Sequence, residues 1–108
     1  MIVYLLHFNR KYPARGGDKQ HYIGYTKWLP HRLKQHGTKT GSKFLWHVAQ
    51  RGIEWDVVRT WSCESEREAR ELEQKLKHHT EHALICPLCR PARLAAKREY
   101  KQRRQGDQ

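Results

Sequence analysis

Glu73 stands where a carboxylate could bind a metal ion. It lies on the apolar side of a predicted amphipathic helix, four residues after Ala69 and three before Leu76. Burying a carboxylate is costly unless a cation meets it. Arg70 and Lys77, three and four residues away, could supply that cation on the helix surface. Glu73 is therefore either half of a surface ion pair or a metal ligand.

Arg32, His36 and Tyr22 are polar side chains that lie beside predicted apolar faces, where they could belong to a functional site. Arg32 and His36 are four residues apart, so on a helix they share one face. Tyr22 shares a strand face with Gly24, and the glycine leaves an opening beside the phenol ring where a backbone or a ligand could approach. Each residue also has an ordinary structural role open to it, as a surface cation or a core tyrosine. None of them is decisive alone.

Cys86 and Cys89 have the Cys-x-x-Cys spacing of a zinc knuckle. His78 and His82 precede them at four-residue intervals, so a tetrahedral set of two histidines and two cysteines is at hand for a structural Zn²⁺. The alternative is that the thiols simply pack the end of the last core helix. An odd total of three cysteines fits reduced thiols or a metal site better than a disulfide framework. Zinc bound there would be structural and would anchor the C-terminal tail.

The elements that must position these side chains can be read from the apolar pattern. Residues 2–8 predict a central strand buried on both faces, and residues 20–26 predict a second strand. A polar loop at 9–19 joins them in an antiparallel hairpin. Pro30 suits the first turn of a helix at 29–36, and Ser42 can cap a second helix that ends by Gly52.

The second half of the chain completes an α+β fold. Residues 55–61 predict a third strand, and Ser65 with Glu68 forms a capping box for a long helix to about residue 79. Pro87 and Pro91 predict a break, followed by a basic helix at 92–104 that is either solvated or in contact with a polyanion. The order of elements predicts a small three-stranded, largely antiparallel sheet flanked by helices.

The composition points to a polyanionic partner. The chain has 108 residues, the length of one domain, and its 22 Lys and Arg against 11 Asp and Glu give a formal net charge of +11. No apolar run approaches the roughly 20 residues that span a bilayer, so nucleic acid is favoured over a membrane. The apolar start is too short for a signal peptide, and we expect a cytoplasmic protein.

Four anchor positions together resemble the GIY-YIG nuclease domain. They are Ile2-Val3-Tyr4, Tyr22-Ile23-Gly24, Arg32 ten residues after the second tyrosine, and Glu73. The resemblance covers residues 2–80, and the family's small antiparallel sheet with flanking helices agrees with the predicted elements. We expect a nuclease-like domain at 1–85, and a Cys-x-x-Cys segment with a basic tail at 86–108.

The resemblance implies a metal-dependent endonuclease that hydrolyses DNA phosphodiester bonds by a one-metal mechanism. Glu73 would hold Mg²⁺ or Mn²⁺, which would act as a Lewis acid on the scissile phosphate. Tyr22, or else Tyr4, would orient or deprotonate the attacking water. Arg32 would neutralise phosphate charge in the transition state, and His36 would shuttle the proton.

The connection between the two tyrosine motifs is longer than is usual in the family, and it is basic. We expect contacts with the DNA backbone from this connection and from the region of the first helix, at Arg10, Lys11, Arg15, Lys19, Lys27 and Lys34. No separate recognition domain is predicted, so sequence specificity would come from the connection, the tail or a partner protein. The alternative function is a catalytically inactive, basic nucleic-acid-binding module stabilised by zinc.

Overall fold

The sheet is built around its first strand. In the computed structural model, which describes residues 1–106, β1 (Ile2–Tyr12) lies between β2 (Lys19–Thr26) and β3 (Trp55–Ser62), and both pairings are antiparallel. The helices are α1 (Leu29–Gln35), α2 (Lys43–Gln50), α3 (Glu66–His78), α4 (His82–Ile85) and α5 (Arg90–Gly106). The predicted α+β fold, with a three-stranded antiparallel sheet flanked by helices, is confirmed.

Alternate residues of β1 enter two separate parts of the core, because successive side chains of a strand point to opposite faces. Val3 and Leu5 are fully buried against Ala69 and Leu76 of α3. On the other face the core contains Tyr4, Leu6 and Phe8 with residues of α2 and of the loop after it, namely Leu45, Val48 and Ile53. The prediction of a central strand buried on both faces is confirmed.

Serine caps begin the two helices that cover these faces. The side chain of Ser42 accepts a hydrogen bond from the backbone N–H of Leu45 at 3.3 Å, and that of Ser65 accepts one from Glu68 at 3.1 Å. Such caps satisfy backbone donors that have no partner inside the helix. The predicted starts of α2 and α3 are therefore correct, and the position of Glu73 on α3 follows from them.

The β1–β2 hairpin is longer than predicted. Residues 9–12 continue β1 where a loop was expected, with a register irregularity between His7 and Tyr12, and Tyr12 pairs with Lys19. Backbone bonds hold this polar stretch: the N–H of Asn9 donates to the carbonyl of Glu54 at 2.9 Å, and its side-chain oxygen accepts from the Glu54 N–H at 3.2 Å. The loop is thereby reduced to residues 13–18.

The C-terminal part is also more helical than predicted. The short helix α4 precedes Cys86, and α5 begins at Arg90, so Pro91 lies in its first turn, where the missing N–H costs nothing. The radius of gyration is 16.0 Å, against about 13 Å for a compact chain of this length. Most of α5 is exposed, and the molecule is elongated. Residues 107 and 108 of the predicted tail lie outside the described range.

Among residues 1–106, no helix combines the length and the apolar composition that crossing a membrane requires.

Candidate active site

Tyr4 and His36 form the buried centre of the candidate site. Tyr4 belongs to β1 and is 1% exposed, while His36 caps the C-terminus of α1 and is 6% exposed. A hydrogen bond of 2.5 Å joins the Tyr4 hydroxyl and His36 Nε2. No polar group in the described part of the chain meets the other ring nitrogen, Nδ1, although it is buried. The sequence predicted both residues for the site, and the structure brings them into direct contact.

Gly24 makes room for the Tyr4 phenol. The two residues lie opposite each other in the β1–β2 pairing. A Cβ atom built on Gly24 would lie 2.6 Å from the Tyr4 hydroxyl oxygen and 2.7 Å from Cζ, far inside van der Waals contact. The opening predicted beside Tyr22 therefore exists, but Tyr4 of the same protein fills it. Any side chain at position 24 would displace the phenol from His36.

Tyr22 completes a group of three rings. Its ring centroid lies 6.3 Å from that of Tyr4 and 5.5 Å from that of His36, with an edge-to-face orientation toward the imidazole. Tyr22 also stacks on Phe44 of α2 at 6.3 Å, which fixes the ring from the other side. Unlike Tyr4, it is only half-buried. Tyr22 is thus the one of the two phenols that solvent can reach.

Burial and charge set the protonation of the Tyr4–His36 pair. Burial, with Tyr22 and Glu73 adding to it, raises the pKa of the Tyr4 phenol, while the guanidinium of Arg32 opposes the shift. Burial and the charge of Arg32 lower the pKa of His36 to about 4. Near neutral pH the phenol therefore keeps its proton and the imidazole is uncharged.

Arg32 lies half-buried on α1, beside this pair. One of its N–H groups donates to the side-chain oxygen of Gln35 at 3.2 Å. A guanidinium has five N–H donors in a planar fork, so this contact leaves most of them free for an anion. The predicted position of Arg32 next to the site is consistent with its effect on the pKa values of Tyr4 and His36.

Glu73 reaches the site from α3. It is 8% exposed, on the same side of the helix as Ala69 and Leu76, and its charge acts on the Tyr4 phenol. Its Oε1 lies 3.0 Å from Nζ of Lys77. Arg70, the other predicted partner, pairs instead with Glu66. The structure thus has the feature expected from each interpretation of Glu73. The side chain faces inward, as a metal ligand would, and a lysine one turn along the helix contacts it, as in an ion pair.

The six predicted DNA-binding residues are all exposed and lie in two parts of the chain. Lys27 and Lys34 lie just before and within α1, near the candidate site. The other four lie along the outer part of the hairpin, at Arg10, Lys11, Arg15 and Lys19. Lys11 is seven strand residues from Tyr4, a distance of roughly 20 Å. Arg10 is partly occupied, because it donates to the backbone carbonyl of Arg51.

The cysteines meet a different pair of histidines from the pair predicted. Cys86 and Cys89 lie beside His7 and His21 of the hairpin. The group does not include the predicted ligands His78 and His82, because four-residue spacing joins two side chains only along a continuous helix, and α3 ends at His78. His78 is exposed, while His82 packs edge-on against His21 with ring centroids 6.3 Å apart.

Comparison with known proteins assigns the family. The family model described as the GIY-YIG catalytic domain matches residues 1–84, more than three quarters of the chain. No curated protein and no solved structure matches. The matched range contains β1, β2, α1 and α3, the elements that carry the five candidate catalytic residues. The chain therefore belongs to the GIY-YIG family, whose catalytic domain is a nuclease.

Proposed function

We propose that this chain is an active endonuclease that hydrolyses DNA phosphodiester bonds, with one Mg²⁺ or Mn²⁺ ion bound by Glu73. The observation that carries the proposal is the convergence of four polar side chains, from three other elements, on the Tyr4 phenol of β1. A stable fold does not require such a group, since burying polar side chains is costly. It is explained if these side chains act on a substrate.

The surroundings of Glu73 suit a hard divalent ion. A carboxylate offers about four lone-pair positions, and the contact with Lys77 uses one side of one oxygen. The Glu73 side chain is 11% exposed, so ligands can approach it from solvent. A single carboxylate, completed by water and phosphate oxygens, is a normal environment for Mg²⁺. The bound ion would supply Lewis acidity at the scissile phosphate and at the leaving oxygen.

Tyr22 is the phenol better suited to meet the attacking water. The hydroxyl of Tyr4 is buried and already bonded to His36, and burial raises its pKa. Tyr22 is half-buried, with one edge toward His36 and one face against Phe44. We therefore assign Tyr22 to orienting or deprotonating the water, and Tyr4 to holding His36 in place.

Arg32 would bind the phosphate. Its free N–H groups can grip two phosphate oxygens at once, which neutralises negative charge as it builds up in the transition state. His36, one helical turn further on, is neutral in the free protein. An approaching phosphate would raise the pKa of its imidazole, because a negative charge favours the protonated form. His36 could then take up the proton released by the water.

The basic hairpin would extend the contact with DNA beyond the cut site. Lys11 lies roughly 20 Å from Tyr4, which corresponds to about six base pairs along a duplex. Contacts with phosphates carry no sequence information by themselves. We therefore expect binding that depends strongly on salt and only weakly on sequence.

One observation favours a second candidate, a binding module without activity. Lys77 already neutralises Glu73 in the structure, so the carboxylate has a stable partner without any metal. The same basic surface would then bind nucleic acid without cutting it. Cleavage dependent on a divalent metal separates the two functions.

The test is incubation with labelled single-stranded and double-stranded DNA in the presence of Mg²⁺, Mn²⁺ or EDTA. We expect cleavage with either metal and none in EDTA. Glu73→Gln should abolish cleavage while DNA binding persists. The matched control is Glu71→Gln, on the same helix, because Glu71 is exposed and pairs with Arg67 at the helix surface. If Glu73→Gln cut as fast as the wild type, or if no metal supported cleavage, the proposal would be wrong.

A further inference from the structure

Four potential ligands from distant parts of the chain meet on the face of the sheet opposite Tyr4. His7 of β1 and His21 of β2 are directly paired in the hairpin. Cys86 follows α4 and Cys89 precedes α5. One ligand atom from each residue lies within 4.8 Å of the other three. Cys86 is fully buried, and the other three side chains are half-buried.

Four of the six distances between these atoms match the edges of a tetrahedron around zinc, and the other two are within 4.8 Å. His7 Nδ1 lies 3.6 Å from the sulfur of Cys86 and 3.6 Å from that of Cys89, and His21 Nε2 lies 3.5 Å from Cys89 Sγ. The two nitrogens are 3.4 Å apart. Zinc bonds of about 2.3 Å to sulfur and about 2.05 Å to nitrogen give tetrahedral edges of about 3.5 Å and about 3.4 Å.

Hydrogen bonding alone does not explain the cluster. His7 Nδ1 faces Cys86, Cys89 and His21 at once, yet an imidazole nitrogen offers a single donor or acceptor position. Both cysteines are free thiols, so no disulfide accounts for their proximity. A cation at the centre would satisfy all four atoms together.

We propose that His7, His21, Cys86 and Cys89 bind a structural Zn²⁺ ion. Two nitrogen and two sulfur ligands in tetrahedral array favour zinc over magnesium or calcium, which prefer oxygen. The cysteines would bind as thiolates and release two protons, and their two negative charges balance the ion. Four protein ligands leave no open position, so this zinc takes no part in hydrolysis.

The backbone between the cysteines is already folded for this role. The N–H groups of Cys89 and Arg90 both donate to the carbonyl of Cys86, at 3.2 and 2.9 Å. This tight turn presents the two sulfurs on one side, as in a zinc knuckle. The ligands on the other side are held by a β-hairpin, whose register fixes His7 opposite His21.

The ion would join the C-terminal helix to the nuclease domain. α5 packs on α4, where Arg90 donates to the carbonyl of Leu84 at 3.2 Å, and its Arg93 and Lys97 form ion pairs with Glu81, the latter at 2.9 Å. These pairs are partly exposed, and such pairs contribute little to stability. Coordination of Cys86 and Cys89 would therefore be the main attachment that orders α5 against the sheet.

The first test is the metal content of the intact wild-type protein. We expect one Zn²⁺ per chain after dialysis against buffer without metal, measured by elemental analysis and by release to a colorimetric chelator. Replacement with Co²⁺ should give the strong visible absorption of a tetrahedral site with thiolate ligands. Protein that is folded by circular dichroism but holds no zinc, and takes up none when Zn²⁺ is added, would overturn the proposal.

Variants then identify the ligands. His21→Ala and Cys89→Ala should each lose the ion to a competing chelator under conditions in which the wild type keeps it. His78→Ala, His82→Ala and Cys63→Ala are the matched controls and should keep it, because none of these residues belongs to the cluster. Loss of zinc from His82→Ala, with retention in His21→Ala, would overturn this ligand set. Metal content is measured without DNA, so the result does not depend on the proposed nuclease activity.

Discussion

The contact between Gly24 and Tyr4 offers the sharpest test of the candidate site. In Gly24→Ala, the new methyl carbon would lie 2.6 Å from the Tyr4 hydroxyl oxygen and 2.7 Å from Cζ. Ordinary contacts between such atoms are about 3.5 to 4.0 Å, so the phenol must move by about 1 Å or the strands must separate. Either movement breaks the 2.5 Å hydrogen bond to His36.

The magnitude follows from two costs. Overpacking a close-packed core typically costs about 1 to 3 kcal/mol. For a domain of this size, that lowers Tm by roughly 5 °C or more. A displacement of about 1 Å in a catalytic group can reduce the rate by about a hundredfold. We therefore expect Gly24→Ala to be folded, less stable and severely impaired in cleavage.

Thermal unfolding and single-turnover cleavage measure the two effects, and a double-mutant cycle assigns their cause. In a Tyr4→Ala background the ring is absent, so Gly24→Ala should have little further effect on Tm. If Gly24→Ala alone kept the wild-type Tm and rate, Tyr4 would not occupy the space across Gly24. If the two substitutions were additive in stability, the damage would not arise from their contact.

Four further predictions test other parts of the site and the tail. Tyr22→Phe should slow cleavage by roughly a hundredfold with a change in stability of about 1 kcal/mol or less. Tyr4→Phe should instead lower Tm, because it removes the buried partner of His36. Single-turnover rates and melting curves compare the two variants. Lys77→Met removes the competing cation from Glu73, so half-maximal cleavage should need less Mg²⁺, which a metal titration measures. His36 has a pKa of about 4 in the folded protein, below its unfolded value of 6.5, so between these values the unfolded state binds more protons. Stability should therefore fall as pH drops from about 6.5 toward 4. His36→Gln should flatten that part of a plot of Tm against pH. Replacing four α5 cations that form no ion pair with Glu81, namely Arg98, Lys101, Arg103 and Arg104, with Gln should flatten the plot of log DNA affinity against log salt by roughly 0.7 to 0.9 for each phosphate that the variant no longer neutralises. An unchanged slope would show that these four side chains do not touch DNA.

The fold was predictable where local chemistry decides the structure. The helix starts at Ser42 and Ser65 follow from side-chain caps that need no distant partner. The alternation of β1 followed from its apolar run. The continuation of β1 through Asn9 was missed, because that stretch is polar and is held by backbone bonds to residue 54. Backbone pairing of exposed residues leaves no hydrophobic pattern in the sequence.

For the candidate site, the sequence predicted the inward position of one helical residue but not the geometry of the group. Helical spacing correctly gave both the inward position of Glu73 and its contact with Lys77. It could not show that Tyr4 would fill the space above Gly24, because that contact depends on the register between two strands. Side chains from different elements meet only through tertiary packing.

The same register also indicates which histidines lie together beside the two cysteines. If Tyr4 is placed opposite Gly24, three further antiparallel pairs bring His7 opposite His21. Two histidines paired across a hairpin make a more rigid half-site than two that straddle the end of a helix. The prediction relied on helical spacing at a point where α3 had already ended.

The alternation of β1 also restricts how the gene for this chain can change. Tyr4 on one face and His7 on the other are three positions apart in β1. Each must therefore keep its register with its partner in β2, which is Gly24 for Tyr4 and His21 for His7. Inserting or deleting one residue between them would turn either the phenol or the imidazole to the wrong face. Changes in length are therefore expected to accumulate in the turn at 13–18, while this part of β1 tolerates substitution but not a shift by one residue.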